Sequence, residues 1–254
     1  MVFKNYLLSA THSYSAYEIG RFKVIDNYIE GQLSANTGLS YDKNRRLIYS
    51  GTTPLNSTTT GIFVFNEDYV FQRQLPIYSV QGFDYNPVLD QFIVWSQGRE
   101  NSTLKTYSYD GTLLYTQSSF DPTGLGWQSG SVCYNYVDDV LLLSTDEVGE
   151  IAVLFRSGNN WIFNHYLGAV NPQEGITYDE INDCYWHNRR TEIVKISKAG
   201  EVLKVIPQLT DTSTVNEGLA FNPNKNTLYI NSDKGYHGGV TDGNRCFEVS
   251  PNFY

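Results

Sequence analysis

The stretch "NEGLAFNPNKNTLYINSD" at 216–233 decides the fold, because the chain has already stated it twice. "QEGITYDEINDCYWHNRR" occupies 173–190 and "NTGLSYDKNRRLIYSG" occupies 36–51. In each copy a glycine opens a short apolar run that closes on Asp or Asn, and a second apolar run follows. The connecting tail is turn chemistry, since Asn and Asp hydrogen-bond their own backbone and Pro presets φ.

Aligned on the glycine, the chain contains five such openings: "TGLSYD" at Gly38, "QGFDYN" at Gly82, "SGSVCYN" at Gly130, "EGITYD" at Gly175 and "EGLAFN" at Gly218. The spacings of 44, 48, 45 and 43 residues match the period of four-stranded propeller blades. Each unit repeats one internal order. The second strands read "RLIYSG", "QFIVWSQG", "VLLLSTDE", "CYWHNRR" and "TLYINSD", and the third strands include "GIFVFN" and "EIVKISKAG". Fourth strands such as "WIFNHYLG" and "EVLKVIPQL" follow hairpin signals, for example "DG" at 110–111 and "AG" at 199–200. No amphipathic helical stretch interrupts the pattern.

The fifth unit reaches Tyr254 with three strands. "RFKVIDNYI" at 21–29 reads like "EVLKVIPQL" and supplies the missing fourth, which closes the ring and removes an exposed sheet edge. The expectation is therefore an all-β, five-bladed β-propeller of four-stranded antiparallel blades. It forms one domain over 1–254, with an N-terminal extension at 1–20, a closing strand at 21–33, and blades starting near 37, 81, 129, 174 and 217. A six-bladed ring would need two strands from "NYLLSATHSYSAYEIGR" at 5–21, which lacks the glycine-led opening.

The bulk composition agrees. Twenty Tyr, 13 Phe and four Trp against a single Met favour pleated, half-buried surfaces. A net charge of −9 and a pI near 4.9 argue against nucleic acid or an anionic membrane surface as partner. The N-terminus lacks the apolar core of a secretory signal, and no run approaches the ~18 apolar residues of a membrane span, so synthesis in the cytosol is expected. Cys133, Cys184 and Cys246 are odd in number and far apart, which predicts buried thiols rather than a disulfide framework. "NST" at Asn56 and Asn101 marks surface loops.

Propeller first strands line the central channel, and the residues preceding the glycines are Thr37, Gln81, Ser129, Glu174 and Glu217. Three readings stand side by side. Glu174 and Glu217, with Gln81, could hold a hard cation such as Ca²⁺, which takes 6–8 oxygen ligands. The two carboxylates could instead share a proton, or the column could simply face channel water. Where the second strands end, His187, Arg189 and Arg190 form a candidate anion-recognition cluster at the channel mouth, balanced by Asp146 and Asp233. The loop "DKGYHGGVTDGN" at 233–244 is the longest insertion. His12, His165 and His237 show no metal spacing.

"SANTGLSYDKNRRLIYSG", "QEGITYDEINDCYWHNRRTEIVKISKAGEVLKVI" and "NEGLAFNPNKNTLYINSD" resemble the SdiA-regulated propeller family and, more loosely, the NHL-repeat and gluconolactonase-like propellers. The resemblance spans roughly residues 20–254 and consists of fold-defining features. In the gluconolactonase-like group a channel Ca²⁺ held by Glu, Asn and Asp catalyses lactone or ester hydrolysis. Glu174 and Glu217 match that group's "EG" positions, whereas Thr37, Gln81 and Ser129 depart from its ligand set.

The sequence contains no G-x-S-x-G, H-E-x-x-H or EF-hand pattern, so the leading expectation is a non-catalytic binding or structural propeller. Its partner would be a protein or glycan engaged through loops and channel mouth. The Tyr-rich, Met-poor composition is that of phage tail and other virion components, which makes a subunit of a larger assembly the expected setting. The alternative is a calcium-dependent lactonase- or esterase-like hydrolase.

Overall fold

A computed structural model describes residues 15–19, 22–26, 34–54, 61–77, 80–96, 102–118, 120–121, 130–144, 149–168, 175–189, 192–207, 215–233 and 245–250. Asn56, Asn101, His12, His237 and the 234–244 part of the long insertion lie outside them. Every regular element among the described residues is a strand, and no helix there is long and apolar enough to cross a membrane.

The strands form five antiparallel sheets, one per repeat. Blade 1 contains β3 (Ser34–Asp42), β4 (Leu47–Pro54), β5 (Ile62–Asn66) and β6 (Phe71–Leu75). Blade 2 contains β7 (Val80–Asn86), β8 (Gln91–Ser96), β9 (Thr103–Ser108) and β10 (Leu113–Gln117). Blade 3 contains β11 (Ser131–Asn135), β12 (Val140–Ser144), β13 (Ile151–Ser157) and β14 (Asn160–Tyr166). Blade 4 contains β15 (Ile176–Asp179), β16 (Cys184–Arg189), β17 (Glu192–Ile196) and β18 (Val202–Pro207).

Blade 5 joins the two ends of the chain. Its inner strands are β19 (Val215–Asn222), β20 (Thr227–Asp233) and β21 (Arg245–Val249). The expected closing strand is β2 (Phe22–Asp26), paired with β21 from Phe22↔Val249 to Asp26↔Arg245. Among the described residues the preceding segment builds no sixth blade. Its β1 (Ser15–Ile19) pairs with β2 and adds a fifth strand to the closing blade.

The inner strands contact one another in the closed order β3, β7, β11, β15, β19 and back to β3. Burial falls from axis to rim: all four residues of β15 are buried, whereas β18 of the same blade is mostly exposed. The apolar core is divided accordingly, with one cluster at each blade junction. Phe63 and Ile48 meet Tyr229 between blades 1 and 5, and Tyr49 and Ile62 meet Phe83 and Phe92 between blades 1 and 2. Trp95 meets Leu141 and Trp161 between blades 2 and 3. Leu142 meets Tyr185 between blades 3 and 4, and Trp186 meets Phe221 between blades 4 and 5. A single blade therefore leaves both of its faces wet, which is why the sequence restates itself.

The recurring glycines permit the tight ring. A Cβ on Gly82 would stand 1.8 Å from the Gly130 carbonyl oxygen of the next blade, and one on Gly218 would stand 2.7 Å from the Leu39 backbone nitrogen. The cysteines behave as expected: Cys133, Cys184 and Cys246 are free and buried.

Candidate functional site

The turn between the first and second strand of each blade is one device made five times. Asp42, Asn86, Asn135, Asp179 and Asn222 are fully buried. The side-chain oxygen of each accepts the backbone N–H groups two and three residues on, at 2.9–3.2 Å. Four residues after each, the chain takes a left-handed conformation at Arg46, Asp90, Asp139, Asp183 and Asn226, with φ of 51–57°. Asx side chains supply this local hydrogen bonding, and Asn and Asp tolerate the left-handed region better than other L-residues. All five turns lie at the same end of the channel, because all five first strands run toward them.

That end holds a small pocket on the axis, open to solvent. Its wall is the residue before each turn: Tyr41, Tyr85, Tyr134, Tyr178 and Phe221. Its rim is the residue after each Asx: Lys43, Pro87, Tyr136, Glu180 and Pro223. Its floor is Ser40, Asp84 and Thr177. Ser40, Asp84, Cys133, Thr177 and Ala220 occupy equivalent positions two residues before the Asx, where the narrow axis favours small side chains. Asp84 is the outlier of that column.

Three of these side chains stitch blades together. Ser40 Oγ accepts the Tyr85 N–H at 3.1 Å, and Thr177 Oγ1 accepts the Phe221 N–H at 3.1 Å. Asp84 accepts the Tyr134 N–H at 2.7 Å and that of Tyr85 at 2.8 Å, and the Ser40 hydroxyl also donates to it. Burial in the axial channel pushes the Asp84 carboxyl up to about 6, and these three hydrogen bonds pull against the rise. Asp84 as a residue is half-buried and lines the pocket, and the protein packed around its carboxyl sets the desolvation.

Lys43 bridges the rim. Its Nζ donates to Glu180 Oε2 at 2.5 Å and to the Tyr136 hydroxyl at 2.9 Å, and it stands 4.8 Å from the Tyr136 ring centre. Blades 1, 3 and 4 thereby meet across the opening. Tyr136 in turn sits edge-on to Tyr178, with centroids 5.8 Å apart.

Of the site residues expected from sequence, Glu217, His187 and Arg189 are described, and they lie away from the turns. Glu217 is buried in β19. Gln81 lies in β7, while its side chain and the whole of Glu174 are outside the described residues. His187 and Asn188 are fully buried in β16. A Cβ on Gly175 would lie 2.3 Å from Asn188 Nδ2 and 2.8 Å from the Glu217 carbonyl oxygen, so the amide packs against the junction of β15 and β19. Neither polar atom of the Asn188 side chain finds a partner among the described residues.

His187 Nδ1 bonds the Asn188 carbonyl at 3.2 Å, whereas Nε2 has no partner there. Burial lowers its pKa to about 4, with Arg189 adding to the fall, so the ring is neutral at physiological pH. Arg189 is ion-paired with Glu192 at 3.3 Å. Arg190, Asp146 and the Asp233 side chain are outside the described residues. Sequence reasoning overlooked Asp84 and Lys43. The available signal for Asp84 was its place as the one charged residue in a column of Ser, Cys, Thr and Ala.

No protein-family model matches the chain, and no curated protein matches it in sequence. Solved structures do match in fold. A gluconolactonase from Xanthomonas campestris shares 11% identity over 91% of this chain and 90% of its own, with a TM-score of 0.54. A luciferin-regenerating enzyme shares 11% over 94% and 96%, with a TM-score of 0.52. An auxiliary nutrient binding protein from Bacteroides thetaiotaomicron shares 7% over 85% and 59%, with a TM-score of 0.50. The resemblance to gluconolactonase-like propellers is thus one of fold, and a fold alone carries no activity.

Proposed function

We propose that this chain is a binding propeller that engages a protein partner through the face bearing the five Asx turns. One observation carries the reading. The residue at the tip of each turn is apolar on three consecutive blades: Val88 is 66% exposed, Val137 62% and Ile181 54%. Leu89 extends this arc, while the equivalent positions on the two remaining blades are Asn44 and Asn224. Scattered exposed apolar residues need no explanation, but a one-sided arc at the most protruding positions supports an interaction surface. A turn needs no apolar residue there, as the two asparagines demonstrate. The finer setting, a phage tail or other virion component, is supported by the Tyr-rich, Met-poor composition.

The experiment is affinity capture with the immobilised protein and a Val137→Asp/Ile181→Asp variant. A partner held by the wild type and released by the variant supports the reading. Identical retention by both overturns it.

A second reading, a calcium-dependent lactonase- or esterase-like hydrolase, is favoured by Asn188. Its buried amide, without a partner among the described residues, lies beside the Glu217 strand and offers an oxygen of the kind a hard cation takes. Glu217 and Asn188, with Glu174 and Gln81, would hold the ion, which would polarise a substrate carbonyl. Glu217→Gln should then erase a Ca²⁺-dependent rise in melting temperature, which reaches about 2.7 kcal/mol of stabilisation at a hundredfold excess over Kd. Equal melting temperatures in Ca²⁺ and in chelator for the wild type would rule this reading out.

A further inference from the structure

Asp84 lies at the floor of a pocket whose lining includes four buried or half-buried tyrosines and Phe221, and every hydrogen-bond partner of its carboxyl among the described residues is neutral: one hydroxyl and two backbone N–H groups. Above pH 6 it is mainly ionised, so the axis carries a negative charge with no cation in contact among the described residues. The chain as a whole carries −9, which adds attraction for a cation at the mouth.

The rim already shows which cation the geometry accepts. The Lys43 ammonium lies at the hydroxyl edge of Tyr136, where its Nζ bonds the Tyr136 hydroxyl and Glu180. An ammonium donates up to three hydrogen bonds, and here a hydroxyl and a carboxylate oxygen accept two of them. Lys43 engages the rim; the carboxyl below it engages only neutral donors. An alkyl stem lying along the tyrosine and proline walls would carry a second ammonium to the floor.

We propose that the axial pocket is a recognition site for a primary ammonium on an alkyl stem, which passes Lys43 at the rim and pairs with Asp84. The shared chemistry covers a free alkylamine and a lysine side chain of a partner. This site is bordered by the apolar arc on the turn tips but uses different groups, and it goes beyond the proposed function.

The test is calorimetric titration at pH 8 and low salt with n-butylammonium, N-acetyl-lysine methylamide and, as uncharged control, n-butanol. Butylammonium should bind and butanol should not. Asp84→Asn should weaken binding roughly ten- to a hundredfold, the range of a charge-assisted hydrogen bond. Val137→Asn/Ile181→Asn, neutral changes to the residue found at the turn tips of blades 1 and 5, should leave it intact, which separates this site from the docking face. Lys43→Met keeps the stem and removes the competing charge, and should tighten binding roughly threefold or more. That rim variant decides the matter even where Asp84→Asn fails to fold. A free-amine site takes both amines equally, and a peptide site prefers the lysine derivative by at least about tenfold, or 1.4 kcal/mol. Equal binding of butanol, no effect of Asp84→Asn in a folded protein, or unchanged binding by Lys43→Met overturns the proposal.

Discussion

Asp84 accepts the backbone N–H of Tyr134 at 2.7 Å, joining blade 2 to blade 3 across 50 residues of sequence. Thr177 and Ser40 make the equivalent bond with neutral hydroxyls. A charge at this position is therefore unnecessary for the stitch, and its energetic cost is visible in its titration.

The cost has a definite sign. The Asp84 carboxyl titrates near 6 in the fold, above its ordinary 3.8, so the folded state binds more protons between those values. Its effect is to raise stability as pH falls from about 6 to 4. His187 acts oppositely, because its folded value near 4 lies below the ordinary 6.5 and stability is lost as pH falls through that window. Asp84→Asn should therefore equal or exceed the wild type in melting temperature at pH 8. It should also lose stability more steeply between pH 6.5 and 4. Parallel pH profiles for the two proteins would contradict this assignment.

Gly82→Ala should be among the most damaging single-methyl changes in the chain. The added Cβ would meet the Gly130 carbonyl oxygen at 1.8 Å, and a backbone atom cannot swing aside. Overpacking of this kind costs about 3 kcal/mol or more, or roughly 6–12 °C in a domain of this size. Thermal melts check it, and a drop below 2 °C would show that the junction yields.

Asp179 ties together more than its turn. Its Oδ2 accepts the Trp186 indole N–H at 3.0 Å and lies 3.4 Å from the Lys195 ammonium. Asp179→Ala would strand both donors and should cost about 3–5 kcal/mol, as removal of one partner of a buried pair does. Asp179→Asn keeps the turn acceptor and should cost less. Urea unfolding ranks the two: equal midpoints would deny the turn acceptor any role, and an Asp179→Asn midpoint equal to that of the wild type would deny the ion pair one.

Lys198 bridges Asp138 and Asp183, on the turns of blades 3 and 4, at 2.6 Å to each. This pairing is solvated, so Lys198→Ala should cost no more than about 1 kcal/mol. The difference should vanish at high salt, where exposed charges are screened. A salt-independent loss would mean that the stem, rather than the charge, matters.

The three thiols should resist modification in the native state. Cys133, Cys184 and Cys246 are at most 1% exposed, and burial pushes the Cys184 thiol up to about 12. Thiolate is the reactive form, so both access and ionisation oppose attack. Titration with a chromogenic disulfide should find no fast-reacting group without denaturant and three with it. A fast-reacting thiol in the native protein would show local opening of a blade junction.

The sequence by itself determined the blade count, the strand order within a blade and the closure by the N-terminal strand. These depend on local signals that recur at a fixed period: a glycine where backbones approach, an Asx that builds its own turn, and alternation along each strand. Even the five Asx turns were legible, because each is satisfied within three residues of itself. What only the tertiary structure decided is which repeated column meets at the axis and what it meets there. Lys43 and Glu180 are 137 residues apart and Lys43 and Tyr136 are 93 apart, yet they converge at one rim. Asp84 reads in sequence as one more polar residue in a strand. Most of its neighbours and most of its pocket come from other blades, and no periodic signal in one strand encodes what four others place opposite it.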